Sequence, residues 1–233
     1  MKVGVIQSNY IPWRGYFDFI DSVDLFVFHD DLQYTKNDWR NRNRILTADG
    51  LRWLTVPVSY KHVEQKIDEV PIDYSQNWAA RHIQQLEANY RHAPFFQDYV
   101  RQFAGIINER FASISQLNIA VCKWFMQVLD IRTPIRMSRE FMLSGKKSER
   151  LIDLLTKMGA TTYVSGPSAS AYLDLDLFRS HGIRVEYKSY DYREYPQLQT
   201  GFWPGVSALD LLFNTGFDAR RYLKSRVSNE VAA

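Results

Sequence analysis

The sequence predicts an α/β protein, a Rossmann-like parallel sheet with an inserted helical lobe, organised as one domain over all 233 residues. Three observations predict it. Short apolar runs at residues 3–6 and 25–28 have the length and flanks of buried strands. Between them Tyr16, Phe17, Phe19, Ile20 and Val23 recur at helical spacing, so the opening reads as a right-handed βαβ unit with parallel strands. The last third repeats that logic, whereas residues 77–130 carry helical periodicity alone and read as the lobe.

The first strand stops at Gln7-Ser8-Asn9-Tyr10, and a helix is expected over residues 13–22. In open α/β sheets ligands sit at the carboxyl ends of strands, where loops and helix N-termini present unpaired backbone groups. Gln7, Asn9, Tyr10, Trp13, Arg14 and Tyr16 are therefore expected to line a cleft. The second strand ends in His29-Asp30-Asp31. Because parallel strands open their following loops on one edge, these three should face Gln7 and Asn9.

Residues 32–44 are polar and aromatic without sustained apolar period and read as a long binding loop. Residues 45–58 read as a hairpin around Asp49-Gly50, a pair that suits a tight turn between strand formers. Its second strand is nearly all apolar. Three or four helices follow through Trp78, Leu86, Tyr90, Phe103, Phe111, Leu117 and Phe125, with a break at Pro94. Further strands are expected at residues 135–139, 162–164 and 183–187, with helices at 148–158, 173–181 and 206–214.

Composition narrows the chemistry. A single cysteine, Cys122, excludes a disulfide framework and a Cys-based zinc site and suits a reducing cytoplasm, where the chain is expected to reside. A net charge of +3 and a pI near 8.9 favour anionic ligands without demanding nucleic acid. No apolar run approaches the roughly 18 residues of a membrane span, and no signal-peptide pattern opens the chain. The five histidines lack metal-ligand spacing, so no metal is expected, and the cofactor stays unassigned. Gly145-Lys146 lacks the earlier glycine and the following Ser or Thr of a phosphate-binding loop.

Several residues retain two readings. Asp30 and Asp31 suit a general base or cation ligand, and equally a carboxylate capping a neighbouring backbone amide; on adjacent strand positions only one faces the cleft. Arg40, Arg42 and Arg44 alternate, which on an extended segment aligns three guanidinium groups for phosphates or leaves them on a solvated edge. Ser165-Gly166-Pro167-Ser168 at a strand end offers hydroxyls and backbone donors to an anion, or simply makes a tight turn.

With these residues in view, the chain resembles the WbqC-like family over nearly its full length. The resemblance rests on Gln7, Asn9-Tyr10, Pro12-Trp13, Gly15-Tyr16-Phe17, Asp30-Asp31, Gln33-Tyr34, Lys36, residues 39–43, the hairpin at 53–58, Ser165-Gly166 and residues 210–214. It implies an association with bacterial O-antigen and other surface-polysaccharide biosynthesis, where amino sugars are built on nucleotides and then acylated. A fainter fold-level likeness links residues 3–30 to the nucleotidylyltransferase superfamily; Trp13-Arg14-Gly15-Tyr16 stands where that superfamily has H-x-G-H, keeping the glycine without either histidine.

The function so implied is transfer of an acyl or aminoacyl group, such as glycyl, to the amine of a nucleotide-linked sugar. Asp30 or Asp31 would act as base, with His29 as the other catalytic candidate; Gln7 and Asn9 would donate hydrogen bonds. Tyr10, Trp13, Tyr34 and Trp39 would form stacking walls, Lys36, Arg40 and Arg42 would hold the diphosphate or another anionic donor such as an activated acyl group, and Tyr16, Asn41, Ser165, Gly166 and Ser168 would complete the substrate-binding set. Two alternatives remain: a non-catalytic binder of nucleotide sugars or of a partner protein, and an aminoacyl transferase that takes its donor from tRNA.

Overall fold

Val3 and Val5 point to one face of the first strand and Gly4 to the other, and that alternation decides where the layers form. In the computed structural model, which describes residues 1–232, β1 (Lys2–Ile6) is followed by α1 (Arg14–Asp21) and β2 (Leu25–Phe28). The two strands pair in parallel, Val3 opposite Leu25 and Ile6 opposite Phe28. A parallel sheet buried on both faces demands near-continuous apolar strands, which both runs supply. Gly4 is where α1 comes closest: a Cβ there would lie 2.4 Å from Phe19 Cε1.

After β2 the chain forms the hairpin β3 (Arg42–Thr47) and β4 (Gly50–Thr55), a two-stranded sheet of its own with Arg44 opposite Trp53. One expectation is corrected here: Arg42 and Arg44 belong to a strand rather than to the loop, which spans residues 32–41. Along β4 Leu54 is buried, whereas Arg52 and Trp53 are exposed.

Three helices come next: α2 (Trp78–Tyr90), α3 (Phe96–Ile107) and α4 (Ile114–Val128). The Asn77 side chain caps α2 by accepting from Ala80 N–H, and Ser113 caps α4 by accepting from Gln116 N–H. Their apolar stripes join α1 in one cluster that contains Phe17, Phe26, Phe28, Phe103 and Phe125.

The remaining strands are β5 (Ile135–Met137), β6 (Thr162–Ser165), β7 (Arg184–Tyr187) and β8 (Glu230–Val231). The interleaved helices are α5 (Lys147–Lys157), α6 (Leu175–Ser180) and α7 (Ala208–Thr215). The central sheet has the order β5-β2-β1-β6-β7-β8, parallel except for β8, which pairs antiparallel with β7. Two residues of β8 carry too little pattern to signal a strand. Ile152, Leu154, Leu155 and Phe178 from α5 and α6 cover the Val3–Val5 face, so helices flank the sheet on both sides.

Candidate functional site

Strand order singles out one edge of the sheet as the candidate site before any side chain is considered. From β1 the chain steps to β2 and β5 on one side, then returns to β6 and β7 on the other. The loops after β1 and β6 leave toward opposite faces, α1 joining one apolar cluster and α6 the other. This is the switch point at which open α/β sheets hold ligands. Gln7 to Trp13, His29 to Asp31, Ser138, Gly166 and Lys188 all follow strand ends on this edge.

The β1 loop is held by a buried polar network. Ser8 N–H donates to Asp30 Oδ1 (2.7 Å), and the Ser115 hydroxyl donates to Asp30 Oδ2. Asn118 Nδ2 donates to Ser8 Oγ (3.2 Å) and to the Arg40 carbonyl (2.8 Å). Tyr16 Oη donates to the Gln7 carbonyl (3.0 Å), and Arg40 donates to the Ser8 carbonyl and to Asn9 Oδ1. Within this loop Ile11, fully buried, sits at φ 37°, a conformation costly for a β-branched residue. Strain of this kind persists only where the surroundings over-determine the backbone, as this network does.

That arrangement corrects the assignment of Asp30 as base. With one oxygen on a backbone amide and the other on a serine hydroxyl, Asp30 shapes the loop. Asp31 turns the opposite way, toward α5: it accepts from the Ser138 hydroxyl and pairs with the Arg150 guanidinium. Burial would raise its pKa, but Ser138, His29 and Arg150 outweigh that and hold it below the usual carboxylate range.

His29 is the unspent group. Its backbone N–H donates to the Ile6 carbonyl at the strand end, and its Nε2, buried and without a hydrogen-bond partner among the described residues, lies 3.6 Å from Asp31 Oδ1. Burial pushes the imidazole pKa down, and Arg150 adds to this against the opposing pull of Asp31. At neutral pH the ring is therefore uncharged and free to accept a proton.

The predicted aromatic walls divide. Tyr10 is wholly buried, its hydroxyl 2.9 Å from His82 Nδ1; Tyr16 and Tyr34 are buried as well, 4% and 2% exposed. None of the three is a stacking wall, because each ring is spent on the core. Trp13 is half-buried against Tyr190 (ring centroids 5.1 Å) and Tyr192 (5.9 Å), and Trp39 is exposed beside Trp53.

Among the polar candidates, Asn41 is buried and donates to the Val56 carbonyl (2.8 Å), fastening the loop to the hairpin. Lys36 is exposed, 4.6 Å over the Tyr60 ring, and Arg42 lies over Trp53. Ser165 is buried beside the Tyr163 hydroxyl (3.1 Å), whereas Gly166 is half-buried and Ser168 exposed at the start of a 3₁₀ turn, Pro167–Ala171. Gln7, Asn9 and His29 thus meet at one strand edge, with Gly166 across the switch point. Lys36 and Tyr34 sit instead at the Tyr60 side of the long loop.

Sequence reasoning missed the groups that position these. Lys188, at the end of β7, is 4% exposed and pairs with the equally buried Asp18 of α1 (2.6 Å); Tyr192 Oη and Ser225 N–H donate to the same carboxylate. That pair fixes the aromatic wall against Trp13. Arg14, expected to line the cleft, is interior instead, its guanidinium among Tyr192, Tyr195 and Phe202 and donating to the Arg193 and Tyr222 carbonyls.

Two cavities bear on this edge by contrast. One of about 30 Å³ lies beneath the strand ends, lined by Asp30, Asp31, Asp68, Ser115 and Ser138, and has room for about one water. A wider one of about 610 Å³ lies at the other edge of the sheet, against Thr161, Thr162, Arg179 and Arg184, away from every strand-end loop. The chemistry-bearing groups are at the first edge, so volume does not choose the site. Among the described residues no group of three or more His, Cys, Asp or Glu side chains is arranged to hold a metal, and no helix is long and apolar enough to cross a membrane.

Comparison with known proteins adds the following. The model of the WbqC-like protein family matches residues 7–222. A Mycobacterium tuberculosis (strain ATCC 25618 / H37Rv) protein described as uncharacterized protein Rv1507c is 48% identical over 226 residues, which cover 96% of this chain and 97% of that protein. No solved structure matches the chain.

Proposed function

The chain belongs to the WbqC-like protein family, and on that premise we propose that it is a transferase that places an acyl or aminoacyl group on the amine of a nucleotide-linked sugar in surface-polysaccharide assembly. The observation that carries the reading is the unpartnered, neutral imidazole of His29 at the switch-point edge, backed by the Asp31–Arg150 pair.

Acyl transfer to an amine needs three things of a protein: a base for the amine proton, donors for the oxyanion, and a fixed approach. Because its Nε2 is buried, His29 takes the proton through one bridging water as the sugar nitrogen bonds to the acyl carbon, and Asp31 stabilises the resulting imidazolium. The Asn9 carbonyl oxygen is occupied by Arg40, which leaves its NH₂, together with Gln7, to donate to the oxyanion. As the tetrahedral species collapses, the bond from the acyl carbon to its activating group breaks and the proton on His29 leaves with that group. The water-sized cavity under the acids admits no sugar, so the substrate lies above the strand ends against Gln7, Asn9 and Gly166.

Under the nucleotidylyltransferase likeness, Trp13 and Tyr16 would stand in place of that superfamily's two histidines. Nucleotidyl transfer therefore finds no equivalent of that superfamily's imidazoles here. A thermal-shift panel of nucleotides and nucleotide-linked amino sugars tests the proposal. A ligand at 100 times its dissociation constant stabilises by about 2.7 kcal/mol, roughly 5–11 °C for a chain of this size. A shift of that order with a nucleotide-linked amino sugar, exceeding that with the bare nucleotide, is expected. Equal shifts from both would favour a non-catalytic nucleotide binder, and no shift from either would remove the substrate class.

A further inference from the structure

We infer that the outward face of the β3–β4 hairpin is a nucleotide-binding ledge, on which a nucleobase stacks on Trp39 and Trp53 while its phosphates meet Arg42 and Arg44. The two indoles are 38% and 42% exposed yet packed together, ring centroids 5.3 Å apart at 42°. Arg42 Cζ lies 4.3 Å over the Trp53 ring, and Arg44 Cζ lies 5.4 Å from Trp39 and 5.6 Å from Trp53. Alternation on β3 puts both arginines on one face, and register puts Trp53 opposite Arg44.

The charges are what select the ligand. Asp38, the acid nearby in sequence, is engaged with Arg40. Arg42 and Arg44 instead donate to backbone carbonyls, of Asn37 and Gly205, and the Nε of each is buried without a partner among the described residues. Two exposed indoles and two guanidinium groups uncompensated by carboxylate fit a planar ring tethered to an anionic group. A neutral sugar ring would stack on the indoles but would leave both cations unanswered. The ledge also adjoins the strand-end edge: the Trp39 carbonyl accepts from Tyr10 N–H (3.0 Å), and the next residue, Arg40, donates to Asn9. A base on the ledge thus directs its phosphates past Arg44 and Arg42 toward Arg40 and the β1 loop.

This inference rests on the reading above only in taking a small nucleotide as the ligand; it does not require acyl transfer. The test is intrinsic tryptophan fluorescence of the full chain titrated with UDP and ADP, each beside inorganic phosphate, in wild type and in Trp53→Ala and Arg44→Gln. Saturable quenching by the nucleoside diphosphates is expected, weakened about 10-fold or more in either variant at unchanged melting temperature. Equal affinity in wild type and both variants would overturn the ledge while leaving nucleotide binding elsewhere intact. No nucleotide binding in wild type would overturn the ledge and the nucleotide-linked substrate together. Binding confined to a short single-stranded RNA, falling steeply with salt, would assign the ledge to RNA instead and overturn the small-nucleotide inference.

Discussion

Replacing His29 by Gln is expected to lower the rate of transfer by about 10²–10⁴-fold, or roughly 2.7–5.4 kcal/mol of transition-state stabilisation, with little change in melting temperature. The size follows from removing a positioned general base while oxyanion donors and substrate contacts stay in place. Stability should hold because His29 Nε2 makes no hydrogen bond that the replacement would forfeit, and glutamine is close to histidine in bulk. Steady-state kinetics with a nucleotide-linked amino sugar and an acyl thioester would measure the effect, with thermal melts alongside. A loss confined to KM would place His29 in binding rather than proton transfer.

Asp18→Ala is expected to cost about 3–5 kcal/mol and to lower the melting temperature by roughly 6–20 °C. Both members of the Asp18–Lys188 pair are nearly inaccessible, at side-chain exposures of 5% and 4%. Deleting one strands the other's charge in the interior, and it also removes the acceptor of Tyr192 Oη and Ser225 N–H. Because the penalty comes mainly from the stranded ammonium, the double variant Asp18→Leu with Lys188→Met should recover part of the loss. Urea unfolding of the three proteins would show this. A single variant that loses less than about 1 kcal/mol would mean that water reaches Lys188 once the carboxylate is gone.

The parts of this architecture that are local were legible in the sequence. The runs at β1 and β2 and the helical spacing between them foretell a βαβ unit, and so place His29-Asp30-Asp31 beside Gln7 and Asn9. The hairpin turn at Asp49-Gly50 is legible for the same reason, since turn chemistry acts within a few residues. What escaped was long-range. Arg150 meets Asp31 across 119 residues, Asn118 meets Ser8 across 110, and Tyr192 meets Asp18 across 174; no periodicity or spacing encodes such meetings.

Aromatics misled for a related reason. Tyr10, Tyr16 and Tyr34 stand among polar residues and so read as cleft walls. Yet a tyrosine can bury its ring wherever its hydroxyl finds a partner, as Tyr10 does at His82 and Tyr16 at the Gln7 carbonyl. Trp53 shows the reverse. It stands in a run read only as nearly all apolar, yet strict alternation with the buried Leu54 turns it outward, toward Arg42 and Arg44.

Burial holds the His29 pKa below the ordinary histidine value, so the imidazole stays neutral through pH 7 and charges only on acidification. A proton acceptor of that kind works above its pKa and fails as pH falls through it. The pH dependence of kcat/KM, which reports groups of the free enzyme, in wild type and His29→Gln is therefore the most direct measurement. Wild type should show an acid limb with its midpoint below 6.5, absent from the variant, while any limb set by the substrate amine persists in both. Superimposable profiles, or a wild-type midpoint above 6.5, would contradict the assignment of His29 as the base.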